Sequence, residues 1–173
     1  MILKRGFPSA LIVRGFGFSG LPPDTLTCIE QILTHISSAL SAYSWEAVVP
    51  TAFFRGVIMF DGDQDSVPFV VVVPNETTAD RIAYDVERQM MGVDISMIVR
   101  VGPDESPSGV GEAILGELIE ATFSNVPAGA VKYQYTGGGV DRYPKFEFDM
   151  MTVGISIDVA WEIDPDEPRI CLK

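Results

Sequence analysis

The sequence has little of the material that many catalytic and metal sites need. Its 173 residues include one histidine, His35, and two cysteines, Cys28 and Cys171. Two cysteines are too few for a disulfide-built scaffold and their spacing fits no metal motif, so we expect Cys28 to be a buried thiol. His35 has no second histidine or nearby cysteine, so no catalytic or metal-binding role is expected for it.

Long hydrophobic runs are also missing. The longest, Val67–Pro74, is far shorter than the ~20 apolar residues of a membrane-spanning helix. The N-terminal stretch Met1–Gly20 lacks the apolar core of a secretory signal peptide. We therefore expect a protein made in the cytoplasm without a membrane partner.

Positive charge is scarce and unevenly placed. There are 12 Lys and Arg against 24 Asp and Glu, a net charge of −12, which disfavours a general nucleic-acid-binding domain. Residues 1–23 carry +3 and contain no acid, so the remainder carries −15. We predict a basic N-terminal arm over 1–23 and a single acidic domain over 24–173.

The arm combines basic and aromatic side chains with glycines and prolines. One interpretation is an irregular segment packed on its own domain. The other is an arm that reaches an acidic neighbouring subunit, since opposite charges on arm and body favour self-association. The candidate interface residues are Lys4, Arg5, Phe7, Arg14, Phe16 and Phe18.

Two segments have the apolar spacing of amphipathic helices. The first begins after Asp24 and ends near Tyr43, with a possible capping box of Thr27 and Glu30. The second opens with Ser106 as N-cap and Pro107 in the first turn. Its glutamates are expected to face water: Glu112, Glu117 and Glu120.

The remaining periodic segments predict strands. Phe53–Phe60 and Val67–Val73 flank the acidic turn 61–66 and are interpreted as a β-hairpin. A loop is predicted over 75–78. Alternation at Ile82, Tyr84 and Val86, then over Val93–Val101, predicts two strands or one interrupted at Gly92.

The C-terminal third predicts more strands. Val131, Tyr133 and Tyr135 form one, and Gly137–Gly139 is expected to turn the chain. Met151–Ile163 alternates without error and would span about 40 Å at ~3.3 Å per residue, a length that strand pairing with another subunit would explain. Pro165 and Pro168 are expected to end it in an acidic tail. The order of elements predicts an α+β domain, with a mostly antiparallel β-sheet and two main helices packed against it.

Motifs for catalysis and cofactors are missing from the sequence. No phosphate-binding, dinucleotide-binding or nucleophile-elbow motif is present, so no catalytic residue or cofactor is predicted. Asp61, Asp63 and Asp65 have the first spacings of an EF-hand loop, but Ser66 and Val72 occupy its glycine and glutamate positions. A solvated acidic turn is the default interpretation, and a weak cation site is the alternative.

Several segments together resemble one known family. They are Val67–Pro74, Arg81–Arg88, Val93–Val101 and, after the second helix, Tyr135–Asp141 with the long final strand. Their order resembles the tail terminator, or tail completion, proteins of long-tailed bacteriophages. In that family a leading helix precedes a hairpin, an alternating strand, a second helix and a last hairpin. The resemblance covers roughly residues 24–163 and leaves the arm unexplained.

The resemblance implies an assembly role without substrate or cofactor. Such proteins form a hexameric ring on the last ring of the tail tube, stop its growth and face the head-side connector. The implied partners are copies of itself, the tail tube protein and the head–tail connector or neck proteins. The implied location is the virion, with assembly in the host cytoplasm. DNA would pass through the ring without sequence-specific binding, and a negative wall would keep it from adhering. Asp61, Asp63 and Asp65 are the candidates to border that channel.

Three alternatives stay open at this point. The first is another neck, connector-completion or tail tube protein of the same particle. The second is an acidic binding module for a basic partner. The third is a hydrolase that uses paired carboxylates, since 24 acids offer many pairs and none has a distinguishing neighbourhood.

Overall fold

A computed structural model describes residues 27–56, 67–102, 106–143 and 150–171. Side chains are described for all of these residues except 142–143 and 167–171. The described residues form two helices and six strands. The helices are α1 (Cys28–Ala42) and α2 (Pro107–Phe123). The strands are β1 (Ala52–Arg55), β2 (Phe69–Arg81), β3 (Glu87–Arg100), β4 (Ala130–Tyr143), β5 (Met150–Asp164) and β6 (Glu167–Cys171).

The strands form one sheet in the order β1-β2-β3-β5-β4, and β6 pairs with the end of β5. The β1–β2 pair is parallel, and all other pairs are antiparallel. The predicted α+β class, with a mostly antiparallel sheet and two main helices, is confirmed.

The helix α1 begins with a complete capping box. The Glu30 N–H donates to Thr27 Oγ1 at 3.3 Å, and the Thr27 N–H donates to Glu30 Oε2 at 3.1 Å, so two otherwise unpaired helix donors are satisfied. The cap is therefore Thr27, and Asp24 lies outside the described residues. The helix buries Ile32, Leu33, Ile36 and Leu40, as its spacing predicts.

The core lies between the two helices and one face of the sheet. Alternate β5 residues from Met151 to Ile163 are buried, as are alternate β3 residues from Met91 to Val99. Burial of branched apolar side chains at this period is the main stabilising contribution available to such a layer. The β5 prediction is confirmed.

The predicted hairpin between the first two strands is wrong. β1 runs parallel to β2, with Phe53 opposite Val70 and Arg55 opposite Val72. Alternation identifies a strand but carries no information about its direction, and about a dozen residues are enough for a parallel connection. Asp61, Asp63 and Asp65 lie outside the described residues.

The hairpin that does form joins β2 and β3. The predicted loop at 75–78 belongs to β2, which passes through it with a register shift between Pro74 and Thr77. The N–H groups of Ile82 and Ala83 both donate to the Val86 carbonyl at 3.1 Å, so 82–86 is a tight turn and not a strand. β3 then runs past Gly92 without interruption.

Three C-terminal predictions also need correction. Gly137–Gly139 lies inside β4 and pairs with 154–156 of β5. A Cβ at Gly138 would lie 2.8 Å from the Gly154 carbonyl oxygen, so this position of the strand has no room for a side chain. The chain after Asp164 folds back as β6 and is not an open acidic tail. Cys28 is buried, as expected, but it is disulfide-bonded and is no free thiol.

Candidate functional site

One face of the sheet has no helix against it among the described residues, and this face carries a group of polar contacts. It carries the polar side chains that alternate with the buried ones along β3 and β5, including Asp94, Ser96, Ser156 and Asp158. Asp94 accepts from Ser156 Oγ at 2.5 Å and from Asn75 Nδ2 at 3.0 Å. One carboxylate thus ties the β2, β3 and β5 strands together on this face.

Two ion pairs lie on the same face, toward the end of the sheet where β5 finishes. Arg88 Nη2 lies 2.6 Å from Glu162 Oε1, and Lys132 Nζ lies 2.9 Å from Asp158 Oδ2. Each pair joins neighbouring strands, and all four side chains are partly exposed. Such pairs contribute up to about 1 kcal/mol each, so their main effect is to hold the charges of this face in place.

A shallow depression of about 390 Å³ lies beside these contacts, on β4, β5 and β3. Glycines form much of its floor. Ser96 packs closely on Gly154, since a Cβ on Gly154 would be only 2.8 Å from Ser96 Oγ. The one ionisable lining residue is Asp141. Over the described ranges, no group of three or more His, Cys, Asp or Glu side chains could hold a metal ion.

The two outer edges of the sheet form a second candidate site. No described strand pairs with the outer side of β4 along Ala130–Tyr143. At the opposite edge, β1 covers only Phe69–Val72 of β2, so the outer side of Val73–Arg81 has no strand partner among the described residues. Exposed edges of this length are templates for adding a strand from another chain.

A third polar cluster joins the segment after α1 to α2. Glu117 Oε1 accepts from the N–H groups of Glu46 and Ala47, both at 2.8 Å, and Glu117 Oε2 is buried without a hydrogen-bond partner. Glu112 and Glu120 are exposed, whereas Glu117 faces the protein and not water. The apolar spacing correctly predicts that Glu117 lies on the helix, but it carries no information about the backbone N–H groups that Glu117 binds.

Tyr43 and His35 extend this contact between the helices. Tyr43 Oη donates to Glu120 Oε2 at 2.9 Å, and this hydrogen bond, with partial burial and the charges of Glu120, Glu117 and Glu46, raises the pKa of Tyr43 to about 12. His35 Nε2 lies 2.9 Å from the Asn125 carbonyl oxygen. In this position His35 links α1 to the end of α2.

The residues predicted for the arm and channel lie outside the described residues. These are Lys4, Arg5, Phe7, Arg14, Phe16 and Phe18, with Asp61, Asp63 and Asp65. Their interface and channel roles stay predictions. The free edges of the described sheet could not be predicted from the sequence, because an edge is a property of strand order and not of any one strand.

Comparison with protein-family models gives no match for this chain, and comparison with curated proteins gives none either. Within the described ranges, neither helix has the length and apolar character needed to span a membrane.

Proposed function

We propose that the chain is a structural subunit of a phage-type tail, a tail terminator that assembles into a ring and ends the tail tube. The observation that carries the proposal is the pair of edges, at β4 and at Val73–Arg81 of β2, that have no strand partner among the described residues and lie on opposite sides of one sheet. Two different edges suit head-to-tail contacts, in which the β4 edge of one copy meets the β2 edge of the next. Contacts of this type generate rings when the rotation closes.

The order of the elements also supports the proposal. α1 precedes the β2–β3 hairpin, α2 follows, and the antiparallel β4–β5 pair comes next. This order shares the leading helix, the second helix and the last antiparallel pair with the pattern on which the family resemblance rests, but its first hairpin is β2–β3 and not the predicted one. The short parallel strand β1 is an addition to that pattern.

The test is an assembly experiment on tail tubes. Purified protein is added to growing tubes, and tube length and tube ends are followed by electron microscopy. We expect a ring-shaped cap at one end and an arrest of growth. Tubes that elongate normally with bare ends would contradict the proposal. Protein repeated along the tube, or bound only to the head-side connector, would overturn it in favour of a tube or neck protein.

A further inference from the structure

Large apolar side chains exposed in the described residues concentrate at two places. One is the turn and adjoining hairpin between β2 and β3, and the other is the start of β4. Only Val49, before β1, lies elsewhere. The first group is Ile82, Tyr84 and Met90, and the second is Val126, Val131 and Tyr135.

The turn between β2 and β3 presents Tyr84 in a fixed setting. Tyr84 is 90% exposed and Ile82 is 46% exposed. Arg81 donates through Nη2 to the Tyr84 carbonyl at 2.5 Å, and its guanidinium lies 5.5 Å from the centre of the Tyr84 ring. An aromatic side chain held in this way loses little conformational freedom on binding, which is the property of an interface anchor.

The start of β4 also exposes apolar side chains, which lie along a strand and not at a turn. Val131 lies at a register shift between Ala130 and Lys132 and is 49% exposed, and Tyr135 is 40% exposed. The Tyr135 hydroxyl lies only 2.9 Å from where a Cβ on Gly138 would be, so its ring follows the strand and does not project from it. Val131 and Tyr135, here called the β4 patch, are thus two exposed apolar side chains on a strand whose outer side has no strand partner among the described residues.

The strand register places the two groups at the same end of the sheet. Glu87, next to the turn, pairs with Ile163, and Ala130 pairs with Trp161. The turn and the β4 patch thus lie at one level along the strands but at opposite edges. A neighbour related by a lateral rotation would bring one copy's turn to the other copy's patch.

We propose that Ile82 and Tyr84 of one copy dock against Val131 and Tyr135 of the next copy, and that this is the lateral contact of the ring. The inference rests on the proposed function and deepens it. A second copy is the occupant because it supplies both missing partners at once. Its β4 edge faces the free β2 edge, and its patch faces the turn. One repeated contact then covers both edges of every copy.

Photo-cross-linking tests the contact directly. Tyr84 is replaced in the full chain by p-benzoylphenylalanine, which keeps an aromatic ring at the turn. The assembled protein is irradiated, and the cross-linked peptides are identified by mass spectrometry after mixing isotopically light and heavy copies. We expect cross-links between copies to the peptide that contains residues 126–143. The same replacement at Val49, which is exposed but lies at the other end of β2, is expected to give none to that peptide.

Substitutions give a second readout. Tyr84→Ala and Tyr135→Ala are each expected to raise the concentration for half-assembly about tenfold, as for an interface anchor. Val49→Ala is the matched control and is expected to change it little. Circular dichroism confirms that each variant is folded, since these side chains are exposed and outside the core.

The outcomes separate the two proposals. A ring that forms while Tyr84 cross-links elsewhere on its neighbour would overturn this contact and leave the proposed function standing. A cross-link from Tyr84 to residues 1–23 would also overturn it, in favour of the arm as occupant. Absence of any cyclic species, with or without tail tubes, would contradict the proposed function itself.

Discussion

Single carboxylates hold the segment between α1 and β1 on the second helix. Glu117 binds two consecutive backbone N–H groups, and Glu120 binds the Tyr43 hydroxyl. A charged acceptor roughly doubles the strength of a hydrogen bond. The N–H groups that Glu117 binds belong to exposed residues, so water competes for them when the carboxylate is removed. These contacts fix α2 against the chain that leads into the sheet edge at β1.

Replacing Glu117 tests this role. Glu117→Ala is expected to lower the free energy of unfolding by about 1–3 kcal/mol, because the N–H groups of Glu46 and Ala47 lose their acceptor. Glu117→Gln keeps an acceptor oxygen and is expected to lose about half as much. Denaturant titration measures both. Glu112→Ala, on the exposed face of the same helix, is the control, and an equal loss there would refute the assignment.

The tyrosine beside Glu120 predicts a pH dependence. The pKa of Tyr43 is raised from 10.0 to about 12 in the folded chain, so the folded state holds this proton more tightly than the unfolded state. Its contribution to stability is therefore complete below pH 10 and is lost as pH rises toward 12. Burial also raises the pKa of Tyr133, so phenolate absorbance should show late titration by both tyrosines, and Tyr43→Phe should remove the group that titrates near pH 12. Unchanged titration in Tyr43→Phe would show that Tyr43 is not that group.

At the scale of elements, periodicity predicts what each segment is but not which segment it meets. Both helices and the long strand β5 follow from apolar spacing, and the capping box of Thr27 marks the start of α1. The parallel β1–β2 pair could not be predicted in this way, because a strand running in either direction has the same alternation. The Asn75–Thr78 stretch looks like a loop by composition, yet pairing with β3 overrides that local preference.

At this scale a run of glycines led to a wrong prediction, because it was interpreted as a turn. Gly137–Gly139 suggests a turn by composition, but it lies inside β4, and only Gly138 of the three has no room for a side chain. Gly111 has a similar use in α2. A Cβ there would lie 2.8 Å from Val140 Cγ1 and 2.9 Å from Val140 Cγ2, so this glycine allows α2 to lie directly on β4. The sequence alone does not distinguish these uses.

Two glycines of α2 provide a matched pair of variants. Gly111→Ala is expected to destabilise the protein by about 1–2 kcal/mol, because overpacking against Val140 outweighs the gain in helix propensity. Gly116→Ala has nothing within 4 Å and is expected to stabilise it by about 0.5–1 kcal/mol. Thermal unfolding measures both. Stabilisation by both substitutions would contradict the close contact of α2 with β4.

For the whole molecule, the sheet determines what can be built. One face is covered by helices and the other carries polar contacts. The outer side of β4 and the Val73–Arg81 part of β2 lack strand partners among the described residues. The charge distribution of the sequence indicates a different source of assembly, a basic arm beside an acidic body. Both the arm and the sheet edges would favour self-association. The arm stays a prediction, whereas the free edges are geometric features of the described fold.

Removing residues 1–23 separates these two sources of assembly. If the sheet edges make the lateral contact, the truncated chain is expected to assemble with a half-assembly concentration within about threefold of the full chain, less than the tenfold change that defines a loss of 1.4 kcal/mol. Sedimentation velocity measures this. Truncated protein that stays monomeric while folded would assign the contact to the arm.

The mass of the assembled protein tests the central claim most directly. Native mass spectrometry of the full chain, alone and after incubation with tail tubes, should show one closed species whose mass is a fixed multiple of the 18.8 kDa subunit, with six copies expected from the family resemblance. A protein that is strictly monomeric under both conditions would contradict the account.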